Sequence, residues 1–146
     1  MKFTTLNHSV EIEYDNNVWK ASVGFQGSLV TFWALEKNEG ESIPMLSVFE
    51  HPDNPISLEQ IMENTIDQIS KMLDNFHYEV IGKDEVRIEF IYSGLVSGTN
   101  LNFYQKIEKG KQIYSITYGC DSVQYKLYRE EFCALLNGIK CEQGAR

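Results

Sequence analysis

Residue types able to carry chemistry are sparse in this chain. The three histidines are His8, His51 and His77, and none stands near another histidine or a cysteine at metal-ligand spacing. A metal site asks for three or four convergent ligands. The tightest pairing, His51-Pro52-Asp53, offers two within a proline-containing turn. An Asx-type turn with an exposed imidazole is expected there, and no metal site. Ser93-Gly94-Leu95-Val96-Ser97-Gly98 lacks the Gly-x-Ser-x-Gly spacing of a nucleophile elbow, and its glycines predict a mobile loop over 93–100. A cysteine nucleophile needs an adjacent base, and nothing places a histidine near Cys120. Cys133 lies close to a helical apolar stripe and reads as a small buried hydrophobe. The carboxylate pairs Glu11/Glu13 and Glu130/Glu131 match ordinary solvated faces. Neither Lys-Ser/Thr nor a helix follows Gly24 and Gly27, as a phosphate loop would require. No catalytic residue and no cofactor is expected, and the chain reads as a non-enzyme.

The elements that position these residues follow from period. At 146 residues the chain is the size of one domain, 1–146, able to bury roughly 68–70% of its unfolded surface in a single core. Val10, Ile12 and Tyr14 alternate with Glu11 and Glu13, as a half-buried strand does. Segments 18–25 and 29–35, parted by Gln26-Gly27-Ser28, predict a hairpin. A polar loop over 37–42 and a strand over 45–50 follow, and prolines in 51–56 end that strand. Ser57, with Gln60 three residues on, has the spacing of a capping box. Leu58, Ile61, Met62, Thr65, Ile66, Ile69, Met72, Leu73 and Phe76 recur at helical intervals, predicting one helix over 57–76. Strands are predicted over 78–81 and 86–92.

The last third reads as strand, turn, strand and helix. Leu101, Phe103, Gln105 and Ile107 alternate with Asn102, Tyr104, Lys106 and Glu108. Lys109-Gly110 turns the chain, and Tyr114, Ile116, Tyr118 and Cys120 alternate in the returning strand. Asp121 or Ser122 caps a helix whose stripe is Tyr125, Tyr128, Phe132, Leu135, Leu136 and Ile139. Strands, a helix, strands and a helix specify an α+β fold with an antiparallel central β-sheet flanked by helices.

Net charge is −8 with no basic run, which argues against nucleic acid. An acidic surface keeps the chain soluble and steers a basic partner. The odd count of three cysteines fits a complete disulfide framework poorly. Residues 1–14 lack the apolar core of a signal peptide, and no run approaches 18 apolar residues, so no membrane span is expected. A cytoplasmic setting is expected, or an exported one if a leader has been removed.

Aromatic residues crowd the strands. Adjacent pairs such as Phe32-Trp33 and Phe103-Tyr104 send one ring to each face, because the side-chain period is two. Rings outside the helix-covered core would form an apolar docking surface. The candidate partner-binding residues are Trp33, Tyr104, Phe25 and Tyr92.

The chain resembles the PsbP/Mog1/DcrB-like superfamily, including the bacterial domain once known as DUF1795. The resemblance rests on Val10-Glu-Ile-Glu-Tyr14 with Asn17-Val-Trp19, on Ser57-Leu58-Glu59, on Phe103-Tyr-Gln-Lys-Ile107, on Ile113-Tyr-Ser-Ile-Thr-Tyr118, and on the helix carrying Tyr125, Tyr128, Phe132 and Leu136. It implies an α/β/α sandwich and a non-catalytic role. The expected function is a cytoplasmic adaptor or chaperone holding an apolar segment of a partner protein, one that is secreted or membrane-associated. An exported accessory subunit is the alternative. A small-ligand binder or enzyme, with a site near His51 and the 93–100 loop, is the second alternative.

Overall fold

Alternating side chains build about half of the described residues into strands. A computed structural model describes residues 1–5, 10–35, 43–51, 57–110 and 112–141. The strands are β1 (Lys2–Thr4), β2 (Val10–Glu13), β3 (Trp19–Ser22), β4 (Val30–Ala34), β5 (Met45–His51), β6 (Asp74–Lys83), β7 (Arg87–Val96), β8 (Thr99–Lys109), β9 (Ile113–Asp121) and β10 (Ile139–Cys141). The helices are α1 (Leu58–Ser70), α2 (Ser122–Leu127) and α3 (Arg129–Asn137), and a 3-10 turn spans Phe25–Gly27. A seven-stranded sheet runs in the order β3-β4-β5-β9-β8-β7-β6, and a three-stranded sheet in the order β1-β2-β10. All recorded pairings are antiparallel. The fold is α+β.

The large sheet has a core on each face. Ile88, Phe90, Tyr92 and Ile107 pack beneath Leu58 and Ile61 of α1. Phe32, Leu46, Val48, Tyr104, Tyr114, Ile116 and Tyr118 form the opposite core with Phe132 and Leu135 of α3 and with Val10 and Ile12 of the small sheet. Caps agree with the local sequence: the Ser57 side chain accepts from the Gln60 backbone N–H at 3.1 Å, and Asp121 accepts from that of Gln124 at 2.9 Å. Each satisfies one of the orphan donors of a first helical turn.

Four expectations change. The helix opened by Ser57 stops at Ser70, and Phe76 lies on β6. Helical spacing at Leu73 and Phe76 is coincidental there, because pairing with β7 gives residues 74–83 a ladder that continuing the helix would forgo. Residues 93–100 are no loop: β7 continues to Val96 and β8 starts at Thr99. Ser97 and Gly98 have φ of 51° and 81°, the two left-handed residues that a tight hairpin needs to match strand twist. Gly94 sits inside β7 because a Cβ there would lie 2.5 Å from Leu73 Cβ. The last helix breaks at Tyr128 (φ −98°, ψ 14°) into α2 and α3. Ile139 leaves it to pair with Ile12, and Cys133 is exposed rather than buried. The loop over 37–42 and the proline turn over 52–56 lie outside the described residues.

Candidate binding face

α1 packs against β6, β7 and β8. Among the described residues no helix covers the rest of that face, which belongs to β3, β4, β5 and β9. Strand register decides what lies there. Ser22, Thr31, Ser47, Thr117 and Gln105 stand opposite one another across five strands. The neighbouring row is Lys20, Trp33, Met45, Gly119 and Phe103. On the other side, Phe49 pairs with Ser115 and His51 with Ile113.

Thr31, Ser47 and Gln105 of the polar row are buried, and hydrogen bonds hold their side chains. Ser28 Oγ lies 2.8 Å from Thr31 Oγ1, which lies 2.9 Å from Ser47 Oγ. The Tyr92 hydroxyl donates to Gln105 Oε1 at 3.1 Å, and His51 Nε2 is 2.8 Å from Ser115 Oγ. Chaining hydroxyls in this way avoids the cost of burying them unpaired. The signal for this row lies in the sequence: Ser47, Ser115 and Thr117 alternate with apolar residues, and a polar side chain at every second position marks a second face.

Trp33 borders this floor. Phe25 meets it edge-on, with ring centroids 4.7 Å apart and planes at 79°, a favoured aromatic geometry. Phe25 remains 37% exposed, and Trp33 is partly exposed. The turn that carries Phe25 is bent tightly, with φ of 78°, 51° and 85° at Gly24, Gln26 and Gly27. Gln26 in that region costs roughly 1–2 kcal/mol, which the surrounding contacts must offset.

The other two candidates are core residues. Tyr104 is 5% exposed; Phe132 of α3 covers it at 5.3 Å, and its hydroxyl donates to Glu89 Oε2 at 2.7 Å. Tyr92 is likewise 5% exposed, stacked on Phe103 at 5.0 Å and Phe90 at 5.7 Å. Burial raises both phenol pKa values, and for Tyr104 the neighbouring Glu89 adds to the rise. Helices occupy both faces, so a ring on the second face is also covered. Phe32 and Trp33 do point to opposite faces, as do Phe103 and Tyr104.

His51 is not an exposed turn residue. It ends β5, half-buried and bonded to Ser115, and burial lowers its pKa below the ordinary 6.5. Pro52, Asp53 and His8 lie outside the described residues. Although the Ser–His distance suits nucleophile activation, Ser115 is 4% exposed in mid-strand, so the contact reads as structural. His51 faces Ile113, whereas Leu101 beside the 97–98 turn faces Asp121. Those are opposite ends of β9, about 27 Å apart at strand rise, so no common site joins His51 and that turn. His77, Glu79, Ser93, Asn102 and Tyr125 line a separate cleft of about 320 Å³ on the other side of the sheet. Among the described residues no three His, Cys, Asp or Glu side chains gather as metal ligands, and no helix is long and apolar enough to cross a membrane. Burial pushes the Cys120 thiol up to about 12, far from the thiolate a nucleophile needs.

No protein-family model matches the chain, and no curated protein matches it. Among solved structures it is similar to LpqN of Mycobacterium tuberculosis, described as involved in cell envelope biogenesis, with a TM-score of 0.62 and 8% identity over 91% of this chain and 83% of that one. At that identity the likeness concerns the fold alone.

Proposed function

We propose that the protein is a non-catalytic binding module that takes an apolar segment of a partner protein on the Trp33 half of its sheet. The observation that carries this reading is the Phe25–Trp33 pair, partly exposed beside a sheet surface that α1 does not reach. Aromatic rings give large contact area at low entropic cost and dominate interface energetics. A net charge of −8 favours a segment with basic flanks. The module is a PsbP/Mog1-like α/β/α sandwich acting as an adaptor or chaperone. Its odd count of three cysteines suits a reducing, cytoplasmic compartment.

Binding of apolar peptides with Lys/Arg flanks, measured by calorimetry, tests the proposal. Trp33→Ala should weaken binding by about 2 kcal/mol, roughly thirtyfold, while lowering thermal stability little. Peptide affinity that is unchanged by Trp33→Ala and Phe25→Ala would refute it.

A further inference from the structure

The sheet edge farthest from Trp33 is β6, which among the described residues has β7 as its single strand neighbour. Eight of its ten residues are exposed, with Tyr78 at 53%, Ile81 at 51% and Val80 at 40%. Soluble monomers usually guard such edges by shortening, charging or bulging them. β6 has two register shifts, between Asp74 and His77 and between Val80 and Gly82, yet His77, Tyr78, Glu79 and Val80 between them pair regularly with Ser93, Tyr92, Ile91 and Phe90. Rings lead from the core to this edge: Phe103 to Tyr92 at 5.0 Å, Tyr92 to Phe76 at 6.1 Å, and Phe76 to Tyr78 at 6.1 Å. Tyr78 is the open end of that ladder.

We propose that β6 pairs antiparallel with β6 of a second copy of this chain, about a two-fold axis through Tyr78. The axis of such a pairing stands perpendicular to the sheet, so each residue must meet one that shares its face. An axis at Tyr78 meets this condition. It sets Tyr78 against Tyr78, Phe76 against Val80, and His77 against Glu79 twice. Moving the axis to Glu79 would oppose two carboxylates, and moving it to His77 would oppose two imidazoles. Two carboxylates placed directly opposite repel, while aromatic pairs and hydrogen-bonding His77–Glu79 pairs are favourable. The joined sheet takes seven strands from each copy and leaves the two Trp33 halves at its far ends. This pairing stands whether or not those halves bind a partner. With −8 on each copy, long-range repulsion opposes the dimer, and moderate salt strengthens it by screening.

Sedimentation equilibrium of the full chain over a concentration series should show a monomer–dimer equilibrium that tightens from low to moderate salt. Tyr78→Lys, which opposes two ammonium groups at the axis, should weaken it about tenfold or more with the circular dichroism unchanged. Trp33→Ala should leave it unaltered. In a Cys133→Ser background, which removes the exposed thiol, a short bis-maleimide should link Tyr78→Cys into a covalent dimer and leave Val123→Cys on α2 unlinked. A chain that stays monomeric at every concentration, a dimer unaffected by Tyr78→Lys, or equal linking at the two positions would overturn the proposal.

Discussion

His51 shows how one side chain couples burial to solution conditions. It is half-buried, its Nε2 lies 2.8 Å from Ser115 Oγ, and desolvation holds its pKa below 6.5. An unfolded chain therefore binds a proton at His51 more readily than the folded one does. The stability tied to keeping this imidazole neutral is fully present above about 6.5, the ordinary pKa. It falls as pH drops below that value towards the lowered folded pKa. Urea unfolding across pH 5 to 8 should show that decline, and His51→Asn should flatten it. An unaltered slope would assign the decline to other groups. The imidazole's place was not legible locally. His51-Pro52-Asp53 resembles a turn, and only pairing of β5 with β9 sets His51 over the Ser115 side of the sheet. Cys133 is a parallel case: it neighbours the helical stripe in sequence, but α3 buries Phe132 and Leu135 and leaves Cys133 exposed.

Among the elements, β9 lies at the centre of the large sheet, pairing with β5 on one side and β8 on the other. Gly119 on β9 stands opposite Phe103, and a Cβ there would run into the Phe103 ring. Gly119→Ala should therefore destabilise by about 1–3 kcal/mol through overpacking. Phe103→Leu should recover part of that loss in the double variant, with coupling of roughly 0.5–3 kcal/mol. Denaturant midpoints for the four-member cycle check this, and strict additivity would show that the ring simply moves aside. Strands β8 and β9 and the Ser57 start of α1 were legible in the sequence, since each has a period or a cap within a few residues. The bounds of β6 and β7 were not. Phe76 fits a helical stripe as well as a strand, and Gly94 looks like loop punctuation until Leu73 is seen packed against it.

At the scale of the whole molecule, one sheet serves two cores. Ile61 and Phe90 lie in one, Trp19 and Phe132 in the other, and neither cluster can keep its packing once the strands between them part. A single cooperative unfolding transition is expected. In a Trp33→Phe background, Ile61→Ala on α1 should lower the midpoint reported by Trp19 fluorescence across the sheet, by the equivalent of about 2–5 kcal/mol. A Trp19 signal that ignores Ile61→Ala would show that the faces unfold separately. By itself the sequence determined the class of fold, the strand-rich order of elements, the cap of α1 and the opposed directions of Phe32 and Trp33. These follow from periodicity and caps that act over a few residues. Only the tertiary structure decided that Tyr92 and Tyr104 are buried while Phe25 and Trp33 are not, that a row of hydroxyls crosses the sheet, and that β6 is left at its edge. Those outcomes depend on which strands lie side by side and how far each helix reaches across them, and residues distant in sequence set both.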